Sequence, residues 1–82
     1  MKGHFPQIKF VKLNTASEQW KHVESEWREV KLATYPEDRL MEKVDLFHSL
    51  ETYFRRLEFE GVDVEALFGK VVQKNHERGY YK

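Results

Sequence analysis

The chain has 82 residues, 40% hydrophobic, 15% aromatic and 34% charged, a composition that fits one folded domain and excludes a disordered chain. Lysine plus arginine equals aspartate plus glutamate, 14 against 14, so there is no global basic footprint for nucleic acid. The lack of cysteine removes disulfides and thiolate metal sites, and no apolar run approaches the length of a membrane span. Met1-Lys2-Gly3-His4-Phe5-Pro6 carries charge without the apolar core of a signal peptide, which makes the cytoplasm the expected location.

Residues 1–14 hold Pro6 and the β-leaning run Gln7-Ile8-Lys9-Phe10-Val11-Lys12-Leu13. Propensity leaves an extended arm, a short strand and an irregular lead-in open. Thr15 with Glu18 then matches a capping box. Trp20, Val23, Trp27 and Val30 follow at steps of four and three, which predicts a helix ending near Ala33. Thr34 with Glu37 matches a second capping box, and Pro36 is tolerated in a first helical turn. The second helix is predicted from about Pro36 to Glu60. Leu40, Val44, Phe47, Leu50, Phe54 and Leu57 mark its main apolar face, and Met41, Leu46 and Tyr53 widen it. So broad a face implies more than one neighbour. Gly61 is a natural stop, and Asp63 can cap a third helix from about Val64 to Arg78. Leu67, Phe68, Val71 and Val72 are expected to face inward, with Gly79 ending the helix. The expected architecture is an all-α bundle of three main helices in a single domain over residues 1–82. A core this small leaves aromatic groups for another subunit to cover, so a homodimer or homotetramer is expected.

Two acidic pairs carry the chemistry. Glu26 and Glu29 lie three apart on the first predicted helix, and Glu42 and Asp45 three apart on the second. That spacing puts both carboxyls of a pair on one side of a helix. Glu26 and Glu29 lie at the edge of the tryptophan stripe. Glu42 and Asp45 lie on a polar strip that His48 and Thr52 continue. If the two helices pack along that strip, four carboxylates converge. Clustered anions repel unless a cation sits among them, and Mg²⁺ or Mn²⁺ suits oxygen ligands. The same spacing is common on solvated helices, so the pairs alone leave ordinary surface charge open. Glu24, Glu37, Asp38, Glu51 and Glu58 read as surface charge of that kind.

The third helix carries Lys70, Lys74 and Arg78 at successive steps of four, with Asn75 beside them. Such a stripe can meet polyphosphate oxygens, or simply complement the helix dipole. His22 and Glu26 form an i, i+4 pair. Asp45-Leu46-Phe47-His48 echoes one element of a di-iron carboxylate bundle, but a second such element is lacking. Trp20, Trp27, Phe47 and Phe54 are expected in the core.

In this order the pieces resemble the MazG-like nucleotide pyrophosphohydrolases, the all-α NTP pyrophosphatase group that includes the dimeric dUTPases. The family pattern E-E-x-x-E, a gap, then E-x-x-D reads here as Ser25-Glu26-Trp27-Arg28-Glu29 and Glu42-Lys43-Val44-Asp45. The segment from Lys70 to Tyr80 is similar to the K-N-x-x-R-G end of small phage-type members. Phe59-Glu60-Gly61-Val62-Asp63 resembles the turn before their last helix. The resemblance covers roughly residues 17–82. It implies Glu26, Glu29, Glu42 and Asp45 as Mg²⁺ ligands and catalytic residues. It implies an activity that cleaves nucleoside triphosphates between the α- and β-phosphates, in cleansing of the nucleotide pool. It also implies that Lys74, Asn75 and Arg78, with Lys70, steady the phosphates or nucleoside, and that His48 touches substrate. Ser25 departs from the pattern where the first glutamate stands. That departure points to the alternative, a catalytically weakened or inactive helical interaction module of the same fold.

Overall fold

Thr15 and Glu18 form the reciprocal pair that their spacing predicts. Thr15 Oγ1 accepts from the Glu18 N–H at 3.1 Å, and Glu18 Oε1 accepts from the Thr15 N–H at 2.9 Å. Two of the donors that a helix leaves free at its start are thereby satisfied. The bond from the Thr15 backbone is the main reason that the Glu18 carboxyl is held below its usual range. In this computed structural model, which describes residues 1–81, the helix so opened is α1, Ala16–Leu32, with Ala33 as its C-cap.

The second helix, α2, spans Pro36–Phe59, but the expected Thr34/Glu37 capping box does not form. Tyr35 is the N-cap, and no side chain caps it. Pro36 supplies the reason. A residue before proline is pushed out of the helical region, and Tyr35 sits at φ −87°, ψ 141°. The helix therefore begins at the proline, and Thr34 lies one residue too early to reach its free N–H groups. Gly61, at φ 93°, makes the turn out of α2. Asp63 then accepts from the Ala66 N–H at 3.0 Å and caps α3, Val64–Glu77.

Three helices and a 3₁₀ turn at Lys9–Lys12 make up the regular structure, with no strand among the described residues. The chain is all-α, as expected. No helix among the described residues is long and apolar enough to cross a membrane.

The α1 and α2 helices pack along each other. Val23 and Gln19 of α1 are buried with Ser49 and Thr52 of α2, and Trp20 meets Tyr53 at 5.1 Å between ring centroids. The contact line is thus partly polar. The α3 helix leans on the C-terminal part of α2, where Phe54 and Phe68 meet edge to face at 5.4 Å, and it does not pack against α1. The chain is accordingly a slab of 37 × 36 × 20 Å. Single-sided packing corrects the expected inward face of α3. Val64 is fully buried, whereas Leu67, Val71 and Val72 are 44%, 50% and 54% exposed. Trp20, Trp27 and Phe47, expected in the core, are also exposed, as are Leu40, Met41 and Val44.

The lead-in is an arm laid against α2. The Glu51 carboxylate accepts the His4 N–H at 2.8 and 3.0 Å and the Phe5 N–H at 3.2 Å, and His4 Nδ1 lies 2.8 Å from Oε1. One turn on, Arg55 Nη2 donates to the Phe5 carbonyl at 2.6 Å. A further turn on, Glu58 meets the Met1 ammonium at 2.7 Å. Arg56 Nη1 donates to the Val11 carbonyl at 3.2 Å, and Val11 is buried. Glu51 and Glu58 are thus anchors rather than surface charge, because their face of α2 is the one that the arm covers.

Candidate metal centre

Packing of α1 along α2 brings three of the four motif carboxylates together. Glu26, Glu29 and Glu42 each place an oxygen within 4.8 Å of the other two. Glu26 and Glu42 are half-buried and Glu29 is exposed, so the group opens to solvent through Glu29. Burial is the main cause that raises the Glu26 and Glu42 carboxyls above their usual range. The Glu29 charge comes next for both, and Asp45 adds to it. Glu26 Oε2 and Glu42 Oε2 are fully shielded yet have no hydrogen-bond partner. Among the described residues, no lysine or arginine lies within ion-pair distance of these acids. His22 Nε2, 3.3 Å from Glu26 Oε1, is the neighbour that can carry charge, as the i, i+4 spacing expects.

The donor set fits a hard divalent cation. Opposite ligands of a six-coordinate Mg²⁺ lie about 4.2 Å apart, from metal–oxygen bonds of about 2.1 Å. Adjacent ligands lie about 3.0 Å apart and at most one pair of three can be opposite, so the three oxygens, within 4.8 Å of one another, would draw together around the ion. A buried carboxylate oxygen without a donor is costly to leave so, and a cation satisfies it.

Asp45 lies outside this three-oxygen group. It lines a small polar cleft of about 100 Å³ with Ile8, Gln19, His22, Glu26, His48, Ser49 and Thr52. Glu26 therefore belongs to both places. The His48 ring stacks on Phe5 at 4.5 Å with 22° between the planes, and its Nε2 is shielded without a partner. Thr52 Oγ1 donates to the His48 carbonyl at 3.1 Å and is buried.

Lys70, Lys74, Asn75 and Arg78 are all on α3 or at its C-cap, and α3 does not pack against α1. Within one chain they do not join Glu26 and Glu29. Ser25 is exposed, as is Glu24. Nothing in the sequence pattern marks Ile8, which walls the polar cleft from the arm side, or Phe5, which stacks on the His48 ring. Their separation of some forty residues from His48 leaves no periodic signal to find them by. Glu51, Arg55 and Glu58 do carry one, since steps of four and three place them on a single face of α2.

No family model matches the chain, and no curated protein or solved structure proves similar to it.

Proposed function

We propose that the protein is a Mg²⁺-dependent nucleoside triphosphate pyrophosphohydrolase. It would take NTPs and dNTPs to the monophosphate and pyrophosphate, cleansing the nucleotide pool. The observation that supports this reading is the meeting of Glu26, Glu29 and Glu42 from two helices, with two shielded oxygens unpartnered. The resemblance of the two acidic motifs and of the Lys70–Tyr80 segment to MazG-like enzymes points the same way. Bound by these carboxylates, Mg²⁺ or Mn²⁺ would neutralise phosphate oxygens and acidify a water.

The chain's own groups supply the rest. Glu26, Glu29 and Glu42 hold the cation. Asp45, which shares the cleft with Glu26 but is outside the three-oxygen group, would orient the attacking water and take its proton. Water oxygen bonds to the α-phosphorus, and the bond from that phosphorus to the bridging oxygen breaks. Pyrophosphate leaves with that oxygen. Lys70, Lys74, Asn75 and Arg78 reach the phosphates from a second copy of the chain, because α3 does not pack on the carboxylate-bearing α1 of its own chain. The exposed apolar faces of α2 and α3 supply the surface for such a homo-oligomer.

Pyrophosphate release from a panel of NTPs and dNTPs, with Mg²⁺ and with EDTA, tests the proposal. The expected outcome is metal-dependent release that vanishes in a helical, folded Glu42→Gln variant. Release that survives both EDTA and that substitution overturns it. A second reading, a non-catalytic helical interaction module, is favoured by Ser25 at the first acidic position and by the exposed apolar faces. That module would not gain thermal stability from Mg²⁺ with nucleotide, and a metal-dependent rise in Tm on adding nucleotide removes it.

A further inference from the structure

The arm reaches the polar cleft through Ile8, and the cleft-lining His48 through Phe5. Ile8 is part of its wall, and Phe5 lies flat on the His48 imidazole at 4.5 Å. Phe5 itself is held through both of its main-chain polar groups. Its N–H goes to Glu51 at 3.2 Å, and its carbonyl accepts from Arg55 at 2.6 Å. Two anchors, one turn of α2 apart, thus fix the ring at a set height along the helix. The approach is close. A side chain in place of Gly3 would put its Cβ 2.5 Å from Arg55 Nη2 and 2.8 Å from Glu51 Oε2. The Thr52 hydroxyl donates to the His48 backbone carbonyl. The imidazole is therefore constrained from its ring face and from its main chain, while its Nε2 is left without a protein partner. The ring shares the cleft with Glu26 and Asp45, and a polar atom that is shielded and unpaired there is prepared to bind something.

We propose that Phe5 is a positioning residue for this site. Clipped to α2 by Glu51 and Arg55, it sets the His48 ring so that Nε2 meets a phosphate oxygen or an ordered water at the carboxylates. The catalytic part of this inference rests on the pyrophosphohydrolase reading. The placement of the ring beside a bound cation does not, and it has its own readout.

The imidazole resonances of His48 report on the stack through the ring current of Phe5, and Mn²⁺ used as a paramagnetic probe reports on distance from the carboxylates. In the full chain, added Mn²⁺ broadens His48 and Ile8 resonances before those of Gly61, beyond the far end of α2. Phe5→Leu shifts the His48 ring resonances and weakens their broadening, whereas Phe5→Tyr retains both. In kinetics, Phe5→Leu lowers kcat about tenfold with little change in KM, the size expected of a lost orientation. The same substitution costs nothing further in a His48→Gln background, since residues that act through one another are not additive. Glu51→Gln, which loosens the clip but keeps the ring, moves the His48 resonances in the same direction. Unmoved His48 resonances in Phe5→Leu, or Mn²⁺ broadening that spares His48, overturn the proposal. So do additive losses in the double variant. If the wild-type chain releases no pyrophosphate, the enzymatic reading fails by itself, and the resonance measurements still decide whether Phe5 positions His48 at the cation site.

Discussion

Glu42 and Glu51 lie on the same helix, and their surroundings differ in kind. Glu42 faces Glu26 and Glu29 across the α1–α2 contact, with one oxygen shielded and unpaired, and its carboxyl is pushed up by burial and then by the Glu29 charge. Glu51 is more deeply buried, and burial alone would push it up as well. The N–H groups of His4 and Phe5 outweigh that effect, and its carboxyl is held below the usual range. At one end of α2 acids meet acids. At the other an acid meets the donors of the arm. Burial acts in the same direction at both, so the partners decide the outcome. Glu51 is compensated within the chain and is structural. Glu42 is not, and on the proposed function the bound cation is what would compensate it.

Substitution by glutamine at the two positions should therefore have opposite effects. On the proposed function Glu42→Gln removes a cation ligand, and pyrophosphate release should fall on the order of 100-fold or more, the scale of losing a charge that stabilises the transition state. In EDTA the same variant should melt higher than the wild type, because repulsion with Glu26 and Glu29 is relieved. A gain of stability on removing a functional charge is common at active sites. Glu51→Gln should do the reverse. Charge-assisted bonds to the arm weaken, and the loss is about 2 kcal/mol, or on the order of 10 °C in Tm. If both variants shift Tm in one direction, the distinction between a compensated and an uncompensated acid is wrong. Differential scanning fluorimetry of the two proteins in EDTA decides the point.

Local chemistry was the most legible part of the sequence. Thr15 with Glu18, Asp63 and Gly61 each fix a boundary through atoms within a few residues, and each stands where the pattern puts it. The convergence of Glu26, Glu29 and Glu42 could be foreseen because helical spacing reduces it to one question, whether α1 packs along the polar strip of α2. The failures are those in which a distant or a competing interaction wins. Pro36 overrides the Thr34/Glu37 pattern through the backbone of Tyr35. The place of Leu67, Val71 and Val72 depends on where α3 leans, which periodicity does not encode. The role of Glu51 depends on an arm whose residues have no repeat at all. The two capping patterns allow a direct check. Thr15→Ala should cost about 1 kcal/mol, whereas Thr34→Ala should cost almost nothing, because the Thr34 side chain caps no helix. Equal losses in the two melting curves would restore the capping box that Pro36 displaces.

The smallest effect expected is a pH dependence whose two limbs belong to the two ends of α2. Glu26 and Glu42 are held above their ordinary value of 4.5, so the folded chain binds protons at these sites more readily than the unfolded one. Their contribution to stability is fully present below 4.5 and is lost as pH rises through their elevated folded values. Glu51 is held below 4.5, so its contribution is present above that value and is lost as pH falls through its depressed folded one. In EDTA, Tm should therefore climb as pH is lowered from about 7.5 towards the ordinary carboxylate range, and drop again beyond it as Glu51 is protonated and the arm is released. Glu26→Gln with Glu42→Gln should flatten the upper limb alone, and Glu51→Gln the lower limb alone. Saturating Mg²⁺ should also flatten the upper limb, because a bound cation favours the ionised carboxylates and removes the gain from protonating them. An upper limb unchanged by both Mg²⁺ and the double substitution would mean that the three acids are solvated independently of one another, and that their meeting between α1 and α2 carries no electrostatic consequence.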